Sequence, residues 1–174
     1  FETLGPLART FDDMVLMQNV ITGPHPKVHA ALRPKLDYPR TYGGLKGVRI
    51  ALDYFESWIP EGIDPSVREA LADAAAVLRG QGAVVDEVRL GWSYAGQYKT
   101  FMHGLLSTGI GAMLLNAGQH RDKLTSYAAH FLKEARNGGP EAMAAADELA
   151  TRLHRQLQQD VFGKGYRALL MPTL

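Results

Sequence analysis

Hydrophobic residues in this chain follow a strand period in two short runs and a helical period over much of the rest. Residues 48–53 and 83–90 are rich in β-branched side chains, which predicts two strands. Between them, the apolar positions of 65–79 recur on one helical face, with Asp64 as the N-cap and Pro65 at the first helical position. This order predicts a β-α-β unit, and its right-handed crossover makes the two strands parallel.

A capped helix is predicted near the start of the sequence. Thr10, followed three residues later by Asp13, resembles a capping box, so a helix should run over 11–21 and end at the Thr-Gly-Pro turn that follows. Residues 22–47 contain four prolines and four glycines. We expect this Pro/Gly-rich segment to be an extended or turned crossing on the surface.

The rest of the chain is predicted to be helical up to a final strand. A helix that begins near Ser93 and includes the apolar stretch to Ala117 should be buried, because apolar side chains cover most of its circumference. Two more helices are predicted, over 122–136 and from 140 to about 161. Residues 168–171 should form a short buried strand that ends at a proline.

These elements predict an α/β fold with a mixed sheet, made of strands near 48–53, 83–90 and 168–171 and covered by helices. A sheet this small leaves its edges unpaired and its faces half covered. We therefore expect residues 1–174 to form a single incomplete domain, and the beginning of the sequence to be a cut edge within a longer protein.

Composition narrows the class of protein. The chain has 46% hydrophobic and 21% charged residues, which is typical of a globular protein. Its 19 basic and 18 acidic residues give a net charge of +1, and the basic residues are scattered, which argues against nucleic acid as a partner. No apolar stretch reaches the ~20 residues that span a bilayer, so no membrane span is expected. We expect a cytoplasmic location.

The sequence contains no complete metal-binding or nucleotide-binding motif. His25 and His29 have the i, i+4 spacing of a helical metal pair, but the neighbouring prolines disfavour a helix and no nearby carboxylate completes the ligand set. Gly80 and Gly82 follow a helix and precede a strand, whereas phosphate-binding glycines follow a strand and open a helix. The absence of cysteine excludes disulfides and thiolate zinc sites. No metal or other cofactor is predicted.

The serines carry no recognisable catalytic motif. None has a lysine three residues later, and the G-x-S-x-G pattern is absent. Ser107 and Thr108 lie in an apolar helical stretch, where hydroxyls usually bond back to a helix carbonyl. Isolated histidines on the predicted helices, such as His103 and His130, are interpreted as structural or surface residues.

Several short motifs nevertheless resemble the amidase signature family, and they occur in the family's order. They are Gly5–Thr10 (GPLART), Ile21–Pro24 (ITGP), Leu45–Ala51 (LKGVRIA), Asp64–Leu71 (DPSVREAL), Gln81–Val88 (QGAVVDEV) and Tyr166–Thr173 (YRALLMPT). The resemblance implies that the chain is part of an amidase-signature fold, downstream of its catalytic serine region.

The resemblance also implies an activity. Family members hydrolyse amides and related acyl bonds with a serine nucleophile, a bridging serine in a cis peptide and a lysine base, without a metal or organic cofactor. In the family these residues lie upstream of the segment that Gly5 begins, so no catalytic residue is assigned in this chain. The implied partners are a small-molecule amide or carbamate substrate and the remainder of the same protein.

Substrate contacts are implied by position in the family. The helices after the β-α-β unit and the loop after the last strand lie near the acyl-binding cleft in relatives, which gives the candidates Tyr98, Phe101, Met102, Leu105, Pro172 and Thr173. Plain core packing is the alternative for each of them. An aromatic wall favours aryl or alkyl acyl groups, because ligand pockets are mostly apolar.

Two other functions stay open. The first is an amidotransferase A-type subunit that receives ammonia from a partner glutaminase and acts on charged transfer RNA, although RNA contacts usually bring a basic stripe. The second is a noncatalytic α/β binding module. The sequence does not indicate an oligomeric state.

Overall fold

The computed structural model describes residues 5–28, 31, 33–58 and 61–173, except for the side chains of 96, 118, 119 and 121. The chain divides into two compact units, Phe1–Gly44 and Leu45–Leu174.

The first unit contains helix α1, Phe11–Ile21, as predicted. Thr10 caps it: the Thr10 hydroxyl accepts the Asp13 backbone N–H at 3.2 Å and donates to the Asp13 carboxylate at 2.8 Å. The described part of 22–44 has no helix or strand beyond a bridge between His25 and Val28.

The second unit is built on a three-stranded sheet. Strands β1 (Arg49–Leu52), β2 (Val84–Glu87) and β3 (Ala168–Leu170) lie in the order β2-β1-β3. Helix α2, Pro65–Gly80, connects β1 to β2. The predicted β-α-β unit is confirmed, including the Asp64 cap, whose carboxylate accepts the Ser66 backbone N–H at 2.8 Å.

The α/β class is confirmed, but the expected mixed sheet is not, because all described strands pair in parallel. Helices cross over between successive strands and return the chain to the same end of the sheet each time. Strand β3 is partly exposed rather than buried as expected, with Ala168 facing solvent. Its position at an edge of the sheet explains the exposure.

The two faces of the sheet carry separate clusters, as the period of two requires. Ile50 and Leu52 pack with Leu71 and Ala75 of α2. Ala51, between them, points to the opposite face and packs with Val161, which follows the last long helix. Both faces of β1 are therefore buried, and the central strand is the core of this unit.

The helical part differs from the prediction near residue 107. Instead of one helix there are two, α3 (Tyr94–Leu106) and α4 (Gly109–Ala117). Gly111 of α4 approaches the end of α3 so closely that a Cβ built on it would lie 1.6 Å from the Leu106 carbonyl oxygen. The absence of a side chain at Gly111 allows this close approach, and the break between the two helices is not visible in the apolar pattern.

The predicted burial of this apolar stretch is also wrong for α4. Met113 is 62% exposed and Leu115 is 49% exposed. A turned, nine-residue helix presents only one side to its neighbours, so its other apolar residues lie at the surface.

Two further helices complete the second unit. Helix α5, Ser126–Glu134, begins four residues later than predicted because Thr125 caps it, accepting the Ala128 N–H at 3.2 Å. Helix α6, Pro140–Asp160, lies where it is predicted. Short 3-10 helices cover Gly118–Lys123, Ala135–Asn137 and Phe162–Lys164. None of the helices in the described ranges has the length and apolarity needed to cross a bilayer.

Candidate functional site

A row of four aromatic rings runs from the end of β1 to helix α3. Phe55 stacks on Trp58 with ring centres 5.1 Å apart, and Trp58 meets the Tyr94 ring edge-on at 5.6 Å. Tyr94 in turn stacks on Tyr98 at 4.4 Å. The Tyr94 backbone N–H donates to the Trp58 carbonyl at 3.2 Å, so the start of α3 is fixed to the loop after β1. We call these four residues the aromatic row.

The aromatic row ends in a cleft of about 400 Å³ between α3 and α5, which we call the aromatic cleft. This volume lies within the range of small-molecule pockets. Two predicted substrate contacts, Tyr98 and Met102, line its wall one helical turn apart. The described lining consists of Tyr94, Tyr98, Lys99, Met102, His103, His130, Phe131 and Glu134.

An ionisable pair lies at the polar side of the aromatic cleft. His103 Nε2 is 3.3 Å from Glu134 Oε2, and the Asn137 side-chain amide donates to the same oxygen at 3.2 Å. The hydrogen bond from His103, assisted by that from Asn137, holds the pKa of Glu134 below its usual range. The Glu134 carboxylate is therefore charged at neutral pH and ready to accept hydrogen bonds.

Tyr98, in the wall of the aromatic cleft, stays protonated at neutral pH. Burial raises the pKa of Tyr98 above its ordinary value, and the neighbouring Tyr94 adds to the shift. Tyr98 is thus a neutral hydroxyl on an apolar ring, so the aromatic cleft offers a stacking surface together with hydrogen-bonding groups.

The other predicted contacts lie elsewhere. Phe101 and Leu105 belong to the same helix, but neither is among the described residues that line the aromatic cleft. Phe101 is partly exposed and Leu105 is half-buried. Pro172 and Thr173 follow β3 at the carboxyl end of the sheet, the former half-buried and the latter exposed.

The hydroxyls near residue 107 have the structural role expected from the sequence. Ser107 donates to the His103 carbonyl and Thr108 to the Leu105 carbonyl, each at 2.6 Å. The Ser107 oxygen also accepts the Gly139 N–H at 2.9 Å, which ties the end of α3 to the segment before α6.

The histidine pair in the first unit is only partly described, because His29 lies outside the described residues. Within the described ranges no three side chains of His, Asp or Glu are grouped so as to hold a metal ion.

Sequence reasoning misses several residues that shape this site. Phe55 and Trp58 lie in a loop for which the pattern predicts no role, and the pattern gives Glu134 no role beyond that of a helix residue. The i, i+4 spacing of Tyr94 and Tyr98 is the available signal, because aromatic residues four apart on a helix lie on one face. The pairing of His103 with Glu134 spans 31 positions, and nothing in the local pattern indicates it.

Comparison with known proteins relates the whole chain to one family. A family model described as Amidase matches residues 1–171. Two relatives, from Carboxydothermus hydrogenoformans and Neisseria meningitidis, are both A-type subunits of glutamyl-tRNA(Gln) amidotransferase. They are 38% and 39% identical over 93 and 92 residues, which is 51% and 52% of this chain.

Solved structures show the same fold. A bacterial aryl acylamidase of the amidase signature enzymes matches 98% of this chain with a TM-score of 0.79 and 23% identity. The A-type subunit of the glutamyl-tRNA(Gln) amidotransferase of Thermotoga maritima matches 89% with a TM-score of 0.53 and 18% identity.

The present sequence corresponds to a minor part of each of these proteins. The matched segments cover 18% and 19% of the two relatives, and 36% and 34% of the two solved chains.

Proposed function

The chain belongs to the amidase family, and from this premise we propose that the protein containing it is a serine amidohydrolase that cleaves the carbon–nitrogen bond of a carboxamide, anilide or carbamate. The observation that carries the proposal is the match of the family model over residues 1–171.

The proposed reaction proceeds through an acyl-enzyme. A serine attacks the carbonyl, a bridging serine and a lysine move the proton, and backbone amides stabilise the oxyanion. We assign these groups to parts of the protein outside the 174 residues. In support, no described serine side chain here is hydrogen-bonded to a lysine: Ser66 donates to Asp64 and Ser107 to a helix carbonyl.

The proposed contribution of this chain is a wall of the substrate pocket. The aromatic cleft presents stacked rings and the thioether of Met102 beside a charged Glu134. Such a surface suits an aryl or other bulky apolar group better than a small polar one. Phe101, Leu105, Pro172 and Thr173 are further candidates for contacts in the complete pocket.

The test is hydrolysis by the whole protein of a panel that pairs aryl amides and anilides with acetamide. We expect turnover of the aryl substrates that is unchanged by a chelator and abolished by a serine-directed fluorophosphonate. Loss of activity on chelation would contradict a metal-independent serine mechanism. Turnover by residues 1–174 alone would contradict the placement of the catalytic groups outside them.

A second candidate is an amidotransferase A-type subunit. It is favoured by the names of the two relatives, at 38% and 39% identity over about half of the chain. In this case the protein would copurify with partner subunits and transfer RNA, and would receive ammonia from a partner glutaminase for transfer to an acylated tRNA. A purified protein that hydrolyses aryl amides without partners and does not bind tRNA would decide for the first candidate.

A further inference from the structure

A second cleft lies at the carboxyl edge of the sheet, where β1 and β2 end. It encloses about 560 Å³ and is lined by the segments that follow these strands and by Arg68 of α2. Ligands of open α/β sheets bind at this edge, and the volume suits a small molecule. We call it the edge cleft. The aromatic cleft is lined by different residues.

The floor of the edge cleft is held rigidly by a buried acid. Asp53, directly after β1, is 4% exposed, and its two carboxylate oxygens accept the backbone N–H groups of Phe55 and Leu90, each at 2.8 Å. These bonds join the loop after β1 to the loop after β2. They also support Phe55 in a left-handed conformation, with φ of 61°, which is strained for a phenylalanine.

Two arginines from different elements converge on one carboxylate in the edge cleft. Arg68 lies over the Tyr54 ring, 4.2 Å from its centre, and is hydrogen-bonded to Glu56 Oε1. Arg89, after β2, has its Nη2 atom 3.7 Å from Glu56 Oε2. Glu56 thus lies between two guanidinium groups, and the three charges sum to +1.

The Arg89 guanidinium makes only a loose ion pair with Glu56. Its side chain is 89% exposed, and 3.7 Å exceeds hydrogen-bonding distance. A guanidinium presents its N–H groups in a planar fork that matches a carboxylate. Because both arginines already contact the carboxylate of Glu56, we expect them to bind the carboxylate of a ligand in the same way.

We propose that the edge cleft binds a small carboxylate anion between Arg68 and Arg89, in competition with the side chain of Glu56. Glu87 also lines the edge cleft and adds negative charge, which disfavours a dianion such as phosphate. Asp53 and Glu87 balance the charges of Arg68 and Arg89, so a monoanion is accommodated only in place of the Glu56 carboxylate. A short apolar body on the ligand would lie beside Val88 and Tyr54. The proposal does not rest on amide hydrolysis by the protein.

Calorimetric titration with benzoate tests the assignment. The protein is first treated with fluorophosphonate so that a serine active site, if present, is blocked. We expect benzoate to bind with a dissociation constant in or below the millimolar range and the neutral isostere benzamide to bind at least about tenfold more weakly, because charge-assisted hydrogen bonds are lost. Equal binding of the two, or no binding of benzoate, would overturn the proposal.

Variants locate the binding at the edge cleft. Arg89→Gln should weaken benzoate binding by at least about tenfold, whereas Arg152→Gln, which removes the same charge from the exposed surface of α6, should leave it unchanged. Equal losses in both variants would show a general charge effect and refute the site.

Removing the internal competitor should have the opposite effect. Glu56→Gln should tighten benzoate binding by about three- to tenfold, because the two guanidinium groups lose their present anion. Weaker binding in Glu56→Gln, with far-UV circular dichroism unchanged, would contradict the competition. Binding of inorganic phosphate more tightly than benzoate would contradict the carboxylate assignment.

Discussion

The guanidinium group of Arg49 lies 4.3 Å from the centre of the Tyr166 ring, so the first strand of the sheet is joined to the segment that leads into the third. Arg49 also donates to Asp86 of β2 at 2.9 Å and to the Lys164 carbonyl at 2.7 Å. Tyr166 donates its hydroxyl to the same Asp86 oxygen at 3.0 Å. The side chains of Arg49, Asp86 and Tyr166 thus link β1 and β2 to the segment that leads into β3.

Acid should weaken this network through Asp86. Hydrogen bonds from Arg49 and then Tyr166 hold the pKa of Asp86 below its ordinary value. A carboxylate whose pKa is lower in the folded state stabilises the fold above its unfolded pKa of ~3.9, and this contribution is lost as the pH falls through the folded value. The thermal midpoint of the wild type should therefore exceed that of Asp86→Asn at pH 7, and the difference should vanish as the pH falls well below 4.

The matched control is Asp73→Asn, since Asp73 is an exposed carboxylate on α2. Its thermal midpoint should follow that of the wild type across the same pH range. A constant difference between wild type and Asp86→Asn at every pH would exclude linkage to this carboxylate.

Replacement of Asp53 by alanine should destabilise the protein by about 2–4 kcal/mol. It leaves the backbone N–H groups of Phe55 and Leu90 without their buried acceptor, and each orphaned donor costs about 1–3 kcal/mol. Urea unfolding monitored by circular dichroism measures the change. Asp73→Ala is the control, and an equal effect of the two substitutions would contradict the role of Asp53.

Gly104 should not tolerate a side chain, although it lies in the interior of a helix. A Cβ built on it would lie 2.0 Å from the Cβ of Ala146, so α3 and α6 cross in close contact there. Gly104→Ala should lower the free energy of unfolding by about 1–3 kcal/mol, which outweighs the gain in helix propensity of about 1 kcal/mol. Gly109→Ala meets no atom within 4 Å and should not be destabilising. Equal stability of the two variants would contradict the close crossing.

The sequence predicts helix starts and strands well where neighbouring residues alone determine them. The caps at Thr10 and Asp64 place two helix starts, and the β-branched runs place the ends of β1 and β2 within one to three residues. The direction of the β1–β2 pair follows from the crossover rule alone. The match to the family model confirms the resemblance drawn from the ordered motifs.

Long-range packing decides what the sequence does not reveal. The apolar stretch before Ala117 has the pattern of one helix, but α3 ends at Leu106, and the Ser107 side chain directly after it accepts the N–H of Gly139, 32 positions away. The edge cleft depends on Glu56, Arg68 and Arg89, which come from three separate segments. The hydrophobic periods of strands and helices carry no information about which distant segments of the chain come into contact.

The proposal that the aromatic cleft forms a wall of the substrate pocket is tested by removing the ring of Tyr98. In the whole protein, Tyr98→Ala should raise KM for an aryl amide by about three- to tenfold with little change in kcat, because a ring contact supplies ground-state and transition-state binding alike. Tyr98→Phe should restore most of the affinity if stacking on Tyr94, 4.4 Å away, is the main contribution. Phe162→Ala, which removes a partly exposed ring that does not line the aromatic cleft, is the control. Steady-state kinetics with an aryl amide and with acetamide distinguishes loss of the ring contact from a structural defect. A structural defect would slow the hydrolysis of both substrates, whereas loss of the ring contact would affect only the aryl amide.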